Sequence, residues 1–353
     1  MTLPASGNSI SLNQVNVELG NSGTAAINMN SADVRGLFGV ASGAIAMSDG
    51  FGKSSVAFFG SRGVFAGGID SGDFTNIIQY ITIATAGNAT DFGDLTLARA
   101  RLTAVSNGSR GVFAGGFAGG AKNVMDYITI ASTGNATDFG DLLTSETGVC
   151  DAASMGDGTR GVIAGGNELG GGTIFIDVMQ YITIASTGNA TDFGNLLGAI
   201  TDIAGTSNGP RGVAGAGYDS SASNVIQYIT IATTGNATDF GDLTVARSAP
   251  VATSDGSRGV WASGYSGGRL DVIDYVTIAT AGNATDFGNL LAVTNSGSAT
   301  SNGPRGVFAG GATSSAPYNQ NVIQYITIAN TGNATDFGDL LQVNGGMGGT
   351  SGE

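Results

Sequence analysis

The chain of 353 residues contains no histidine, a single cysteine and five prolines. Without histidine it lacks the usual general base, the Ser-His-Asp and Cys-His arrangements, and the commonest ligand for zinc and copper. No catalytic residue, metal centre or cofactor is therefore expected. Cys150 has no second thiol to pair with, so it reads as a small core residue in a chain not stapled by disulfides. Charge is also scarce: 11% of residues are charged, against a usual share of about 25%. Thirteen basic and 27 acidic side chains leave a net charge of −14, which repels phosphate backbones and anionic membranes. Nucleic acid is excluded as a partner on that ground, as are disordered and coiled-coil classes by the low charge content. The longest mostly apolar run, Gly36 to Met47, is broken by Gly and Ser and is too short to span a bilayer. The N-terminus lacks the basic start of a signal peptide, so a soluble chain without membrane insertion is expected.

What is abundant is glycine, 61 residues. With so little proline it implies neither collagen nor polyproline, but a backbone of many short strands joined by tight turns.

Those strands repeat. Arg-Gly-Val recurs at Arg62, Arg110, Arg160, Arg211, Arg258 and Arg305, and Tyr-Ile/Val-Thr-Ile-Ala at Tyr80, Tyr127, Tyr181, Tyr228, Tyr275 and Tyr325. The six units are 47 to 54 residues long. Each runs in one order: an alternating segment such as Pro250 to Ser254, an Asp/Asn-Gly turn, Arg-Gly-Val-Phe-Ala-Gly-Gly, a variable loop, Asn-Val-Ile-Gln-Tyr-Ile-Thr-Ile-Ala, and Thr-Gly-Asn-Ala-Thr-Asp-Phe-Gly-Asp-Leu. β-Branched and aromatic runs bounded by Gly, Asn, Asp and Ser predict four strands per unit, with no helical spacing between Arg62 and Leu340.

The period and the Gly-Gly and Tyr positions resemble kelch repeats, over roughly residues 58 to 353. The departure is the fourth strand, where the Phe of Asp-Phe-Gly stands in place of the kelch Trp. The expected fold is all-β: a six-bladed kelch-like β-propeller of four-stranded blades over 55–353, preceded by a small α/β module over 1–54. Aligning the last unit on the fifth sets Gly345 to Glu353 against the first strand of a unit, so residues 345–353 are expected to close blade 1, with Ser54 to Gly60 as the competing segment.

Three motifs read as repeat chemistry. Asn-Ala-Thr-Asp-Phe-Gly-Asp/Asn-Leu occurs six times and carries Asp91, Asp94, Asp138, Asp141, Asp192, Asp239, Asp242, Asp286, Asp336 and Asp339. Its oxygens could serve calcium, but the spacing differs from an Asp-x-Asp-x-Asp-Gly loop, and charges on an outermost strand protect a sheet edge from aggregation. Its Asn-x-Thr sequons read as turn chemistry. The kinase Asp-Phe-Gly lacks every companion motif, and Gly52-Lys53-Ser54 has Met47 where a phosphate-binding loop needs its first glycine. The repeated arginines read as joints to a neighbouring blade's carbonyls or carboxylates rather than as a sialidase-type arginine cluster.

In an up-and-down blade, the turns joining first to second and third to fourth strands share one face, and here they are nearly constant. The second-to-third and fourth-to-first connections share the other face and differ in every unit. That variable face is the candidate binding surface. Its loops carry one aromatic each: Phe74, Phe117, Phe175, Tyr218, Tyr265 and Tyr318. Phe117, Tyr218 and Tyr265 directly follow the Gly-Gly position as part of the repeat. Phe74, Phe175 and Tyr318, with Lys122, Glu168, Asp219 and Arg269 as polar neighbours, are the candidate ligand-binding residues.

Residues 1 to 54 do not follow the repeat. Ile10, Leu12, Val15, Val17 and Leu19 predict short strands, Ser31 to Phe38 a helical turn or two, and Ala41 to Met47 another strand. The segments Leu3-Pro4, Ile10 to Gly20, Asp33 to Leu37 and Gly39 to Asp49 resemble the N-terminal module of bacteriophage tail-associated structural proteins. The Tyr-Ile-Thr-Ile-Ala and Asn-Ala-Thr-Asp-Phe-Gly repeat is similar to propellers of the same class. The resemblance implies a virion protein, a tail fibre or appendage, anchored to other tail proteins through residues 1–54. It further implies that the propeller meets a host-surface glycan or protein receptor, and that the chain is a homo-oligomer. An architectural capsid or tail protein is the alternative, and a polysaccharide-degrading propeller enzyme the second.

Overall fold

A computed structural model describes residues 60–144, 148–168, 174–316 and 318–352. The module expected over 1–54, and the part of the competing segment before Gly60, lie outside the described residues.

The described residues form six four-stranded antiparallel sheets arranged as the blades of a β-propeller, and no helix. Blade 2 shows the pattern from the axis outward: Thr103–Ser106, Arg110–Ala114, Val124–Thr129 and Thr137–Asp141. The second strand is buried on both faces after its leading arginine, which suits its unbroken apolar run. The outermost strand exposes its first two residues, including Asp138.

Blade 1 takes its innermost strand from the end of the chain. Gly348–Gly352 pairs antiparallel with Arg62–Ala66, Arg62 opposite Gly352 and Ala66 opposite Gly348. Ring closure by the C-terminal segment, expected from the alignment of repeats, is therefore the observed arrangement.

Among the described residues there is no single central core. The buried apolar residues fall into six clusters, each spanning two neighbouring blades; one joins Val64, Ile78, Phe92 and Leu95 of blade 1 to Leu102, Phe113 and Ile128 of blade 2. The cluster that completes the circle joins Phe65 and Ile81 of blade 1 to Val307, Ile323 and Phe337 of blade 6.

Constant residues make the joints. Each Arg-Gly-Val guanidinium lies 4.1 to 4.5 Å from the ring centroid of its own blade's repeat tyrosine and donates to a carbonyl of the next blade, as Arg62 does to Ile130 O at 2.7 Å and Arg305 to Ile83 O at 2.9 Å. The same tyrosines meet the Asp-Phe-Gly phenylalanines edge-on at 5.9 to 6.2 Å. The sequon asparagines accept from the preceding blade's edge: Asp94 N donates to Asn135 Oδ1 at 3.1 Å, and Asp339 N to Asn88 Oδ1 at 3.0 Å. The Gly of Asp-Phe-Gly is required there, since at Gly93, with φ of +146°, a Cβ would stand 2.4 Å from the Gly134 carbonyl oxygen.

Candidate functional site

Between the fourth strand of one unit and the first strand of the next, every connection carries a residue in the left-handed region two places before that first strand. These are Arg101, Asp151, Asp202, Ala249, Ser296 and Gly346, with φ from +49° to +70°. Each follows a residue bridged to the start of a variable loop: Ala100 to Phe117, Cys150 to Asn167, Thr201 to Tyr218, Ser248 to Tyr265, Asn295 to Ala312, and Gly345 to Ile69. The left-handed turn aims the six peptides at one another around the axis. Asp151 N donates to Arg101 O at 3.1 Å, Ala249 N to Asp202 O at 2.9 Å, Ser296 N to Ala249 O at 3.0 Å, Gly346 N to Ser296 O at 2.6 Å, and Arg101 N to Gly346 O at 2.6 Å. This backbone collar has one open link, because no bond joins Asp202 N to Asp151 O among the described residues.

The collar surrounds a well of about 400 Å³ on the variable face, lined among others by Arg101, Asp151, Asp202, Tyr265, Asn295 and Asn319. Its sixfold pattern is broken chemically. Blades 2, 3 and 4 contribute Arg101, Asp151 and Asp202, while blades 5, 6 and 1 contribute Ala249, Ser296 and Gly346. Arg101 Nη1 lies 3.4 Å from Asp151 Oδ2, the arginine side chain half-exposed and the aspartate at 13% exposure. That carboxylate raises the Arg101 guanidinium above its ordinary value. Burial pushes the Asp151 carboxyl up against the opposing pull of Arg101. Burial and the negative charge of Asp151 together push Asp202 up to about 7, with Arg101 opposing. Burial raises the Cys150 thiol far above its usual range, so it is an uncharged core group at 1% exposure.

Beneath the mouth the innermost strands line the axis with small residues. Ser106, Ser154 and Ser207 donate across blades to Ser351 O, Ala104 O and Gly156 O at 2.6, 2.8 and 2.6 Å. These hydroxyls tie the blades together along an axis that holds two smaller cavities, of about 140 and 130 Å³, beside the larger well.

The seven candidate ligand residues sit on six different blades, and none of them lines the well. Phe74 packs edge-on against Phe117 at 5.7 Å, with the Arg101 guanidinium 5.6 Å from the Phe117 ring centroid. Phe175 meets Tyr218 edge-on at 5.9 Å. Two of the three leading aromatics thus pack against the neighbouring blade's loop. Tyr318 is the most open of the large apolar side chains among the described residues, at 66% exposure, and its N donates to Ser315 O at 2.8 Å. Asp219 is exposed and its carboxylate accepts from Ser221 N at 3.3 Å. Arg269 Nη1 donates to Ser314 Oγ of the next blade at 3.4 Å, and Lys122 is half-buried. Glu168 is buried at 3% exposure in the two-residue strand Asn167–Glu168, which pairs with Ile174–Phe175.

The charged half of the collar is the feature that reading the variable loops alone misses. Its signal is present in the sequence: aligning the six fourth-to-first connections places Arg101, Asp151 and Asp202 where the other three units have Ala249, Ser296 and Gly346. No protein-family model matches the chain, and no curated protein matches it.

Proposed function

We propose that the chain is a non-enzymatic recognition propeller of a bacteriophage virion, a tail fibre or tail appendage, which engages a glycan of the host surface with its variable face. Residues 1–54 attach it to other tail proteins, and several copies assemble on the particle. The observation that carries the reading is the contrast between the two faces. One is built from repeated Arg–Tyr–Phe stacks and asparagine joints, whereas the other holds a well of about 400 Å³ with three charged groups on one side and an exposed Tyr265 in its wall. Scaffolds keep what folds constant and vary what binds. The absence of histidine and the pairing of Asp151 with Arg101 favour binding over catalysis.

Adsorption of particles to host cells tests it. Replacing Arg101 by Ala, Asp202 by Asn and Tyr265 and Tyr318 by Ala together is expected to lower adsorption at least tenfold while the chain stays folded. Unaltered adsorption overturns the recognition role and leaves the architectural one, which the loop-to-loop aromatic packing of Phe74 with Phe117 and Phe175 with Tyr218 favours.

A further inference from the structure

The walls of the axial well are unbalanced in hydrogen-bonding capacity. Asp202 lines the well, and among the described residues its carboxylate has no hydrogen bond or ion pair, only the longer-range charges of Asp151 and Arg101. The collar opens at the same place, leaving the Asp151 carbonyl without a donor. Two blades on from Asp202, Asn295 also lines the well; its Nδ2 donates to Ser296 Oγ, and its Oδ1 is unpartnered but closed off from solvent behind the lining. Arg101, the cationic side chain of the lining, turns one of its five N–H groups to Asp151 at 3.4 Å and makes no hydrogen bond to Asp202. The unbonded acceptors at the open link, the Asp202 carboxylate and the Asp151 carbonyl, call for a ligand that brings donors.

Charge narrows the class. The charged groups that line the well are Arg101, Asp151 and Asp202, and with both carboxyls ionised they sum to a single negative charge. That balance suits one monovalent cation; a divalent ion would be left overcharged beside the guanidinium. An ammonium offers three N–H donors in a compact head, and Tyr265, 43% exposed in the same wall, offers a ring face for a sugar or for the cation itself.

We infer that the axial well is a subsite for an ammonium-bearing sugar, its cationic group seated between Asp202 and the open link of the collar, with Tyr265 beneath the sugar ring. The inference rests on the recognition reading above and names the class of sugar it selects. Asp202 is held up to about 7 by burial and by Asp151, with Arg101 opposing. A bound ammonium therefore competes with a proton there. The groups facing Asp202 are Asp151 and Arg101, and Arg101 stays charged throughout, so Asp202 sets the pH response.

Calorimetric titration of the full chain with aminoethyl glucoside, its N-acetyl derivative and ethyl glucoside tests this. The aminoethyl sugar is expected to bind best, with affinity rising about tenfold between about pH 6 and about pH 8, as expected for a carboxyl titrating near 7. The two neutral sugars are expected to show no such rise. Asp202→Asn, which suits the positive φ at this position, is expected to abolish the preference without lowering the melting temperature. Equal affinity for all three sugars, or a preference that survives Asp202→Asn, overturns the ammonium assignment and leaves recognition by the variable face standing. Heat from calcium alone that Asp202→Asn abolishes, with none from the aminoethyl sugar, overturns it in favour of a metal site. Failure of the recognition reading is read separately, as unaltered adsorption of the multiple variant.

Discussion

Arg99 and Asp126 form an ion pair at 2.6 Å with both side chains at 0% exposure, joining the end of blade 1 to the third strand of blade 2. Thr96 Oγ1 donates to the other carboxylate oxygen, and Arg99 Nε donates to Gly115 O at 2.7 Å. Three blades on, Thr244, Arg247 and Asp274 repeat the arrangement, with the ion pair again at 2.6 Å. There Arg247 Nε has no partner, and burial pulls the guanidinium below its ordinary value against the support of Asp274. The other four interfaces use a neutral device at the same place: Leu143 N, Leu197 N, Leu291 N and Leu341 N donate to Gln180, Gln227, Gln324 and Gln79 at 2.6, 2.8, 2.8 and 2.8 Å.

The two devices should be interchangeable only as complete sets. Arg99→Ala strands the Asp126 charge and is expected to cost about 3–5 kcal/mol, as does Asp126→Asn for Arg99. Importing the set found at the blade 3 to blade 4 interface, Thr96→Leu with Arg99→Ile and Asp126→Gln, is expected to restore stability to within about 1–2 kcal/mol of the parent. Denaturant midpoints check this, and a triple variant as weak as Arg99→Ala would show that the charge pair itself is needed.

Closure should dominate thermal stability. Removing Gly346 to Glu353 deletes the strand Gly348–Gly352, two collar links, and the carbonyls that accept from Ser106 and Thr300 at 2.6 and 2.9 Å. The loss leaves the second strand of blade 1 as an open edge. The melting temperature is expected to fall by more than about 10 °C, and a melt followed by circular dichroism that moves by less than about 2 °C would contradict the closure role.

The collar stores backbone strain where L residues hold a left-handed turn. Ala249, at φ of +49°, has no polar side chain to ease that conformation. Ala249→Gly is expected to stabilise the fold by about 0.5–1 kcal/mol, contrary to the usual effect of introducing glycine. The sign of the shift in chemical denaturation decides the matter.

Stability should also fall with rising pH across the acidic range. An acid whose folded pKa lies above its unfolded one keeps its proton in the folded state after the unfolded chain has lost it. Asp202, raised to about 7 mainly by burial, therefore favours folding below about pH 4 and loses that advantage as pH rises to about 7, by at most about 4 kcal/mol. Stability should be level above that window. Asp202→Asn is expected to flatten this slope in melting temperature against pH, and an unchanged slope would assign it to other groups.

Much of this architecture is legible in the chain itself, because it is written six times. Local alternation of Val, Phe, Ile and Tyr sets the strands, the Asn-Gly and Gly-Asn-Ala-Thr segments set the turns, and the spacing of Arg-Gly-Val and Tyr-Ile-Thr-Ile-Ala sets the count of blades. Even the closing role of Gly348–Gly352 follows from where the last repeat is cut. The roles of the repeated arginine, tyrosine and phenylalanine as joints are of the same kind, since a side chain that recurs at every interface is doing what every interface needs.

Other features exist only once the ring is closed. Arg99 and Asp126 are 27 residues apart, and nothing local marks them as partners; the ring brings the end of one blade against the third strand of the next. Phe74 and Phe175 look like free aromatics in variable loops until the next blade supplies Phe117 and Tyr218 to cover them. Arg101, Asp151 and Asp202 are about 50 residues apart in sequence, and become one charged half of a well because closure stacks six equivalent turns around one axis, where burial and mutual repulsion give Asp202 a proton affinity that no isolated aspartate has. The sequence by itself determined the repeat and the fold it builds, because those depend on local pattern. Which residues share a site was decided by the tertiary structure, because that depends on distances that only the closed ring creates.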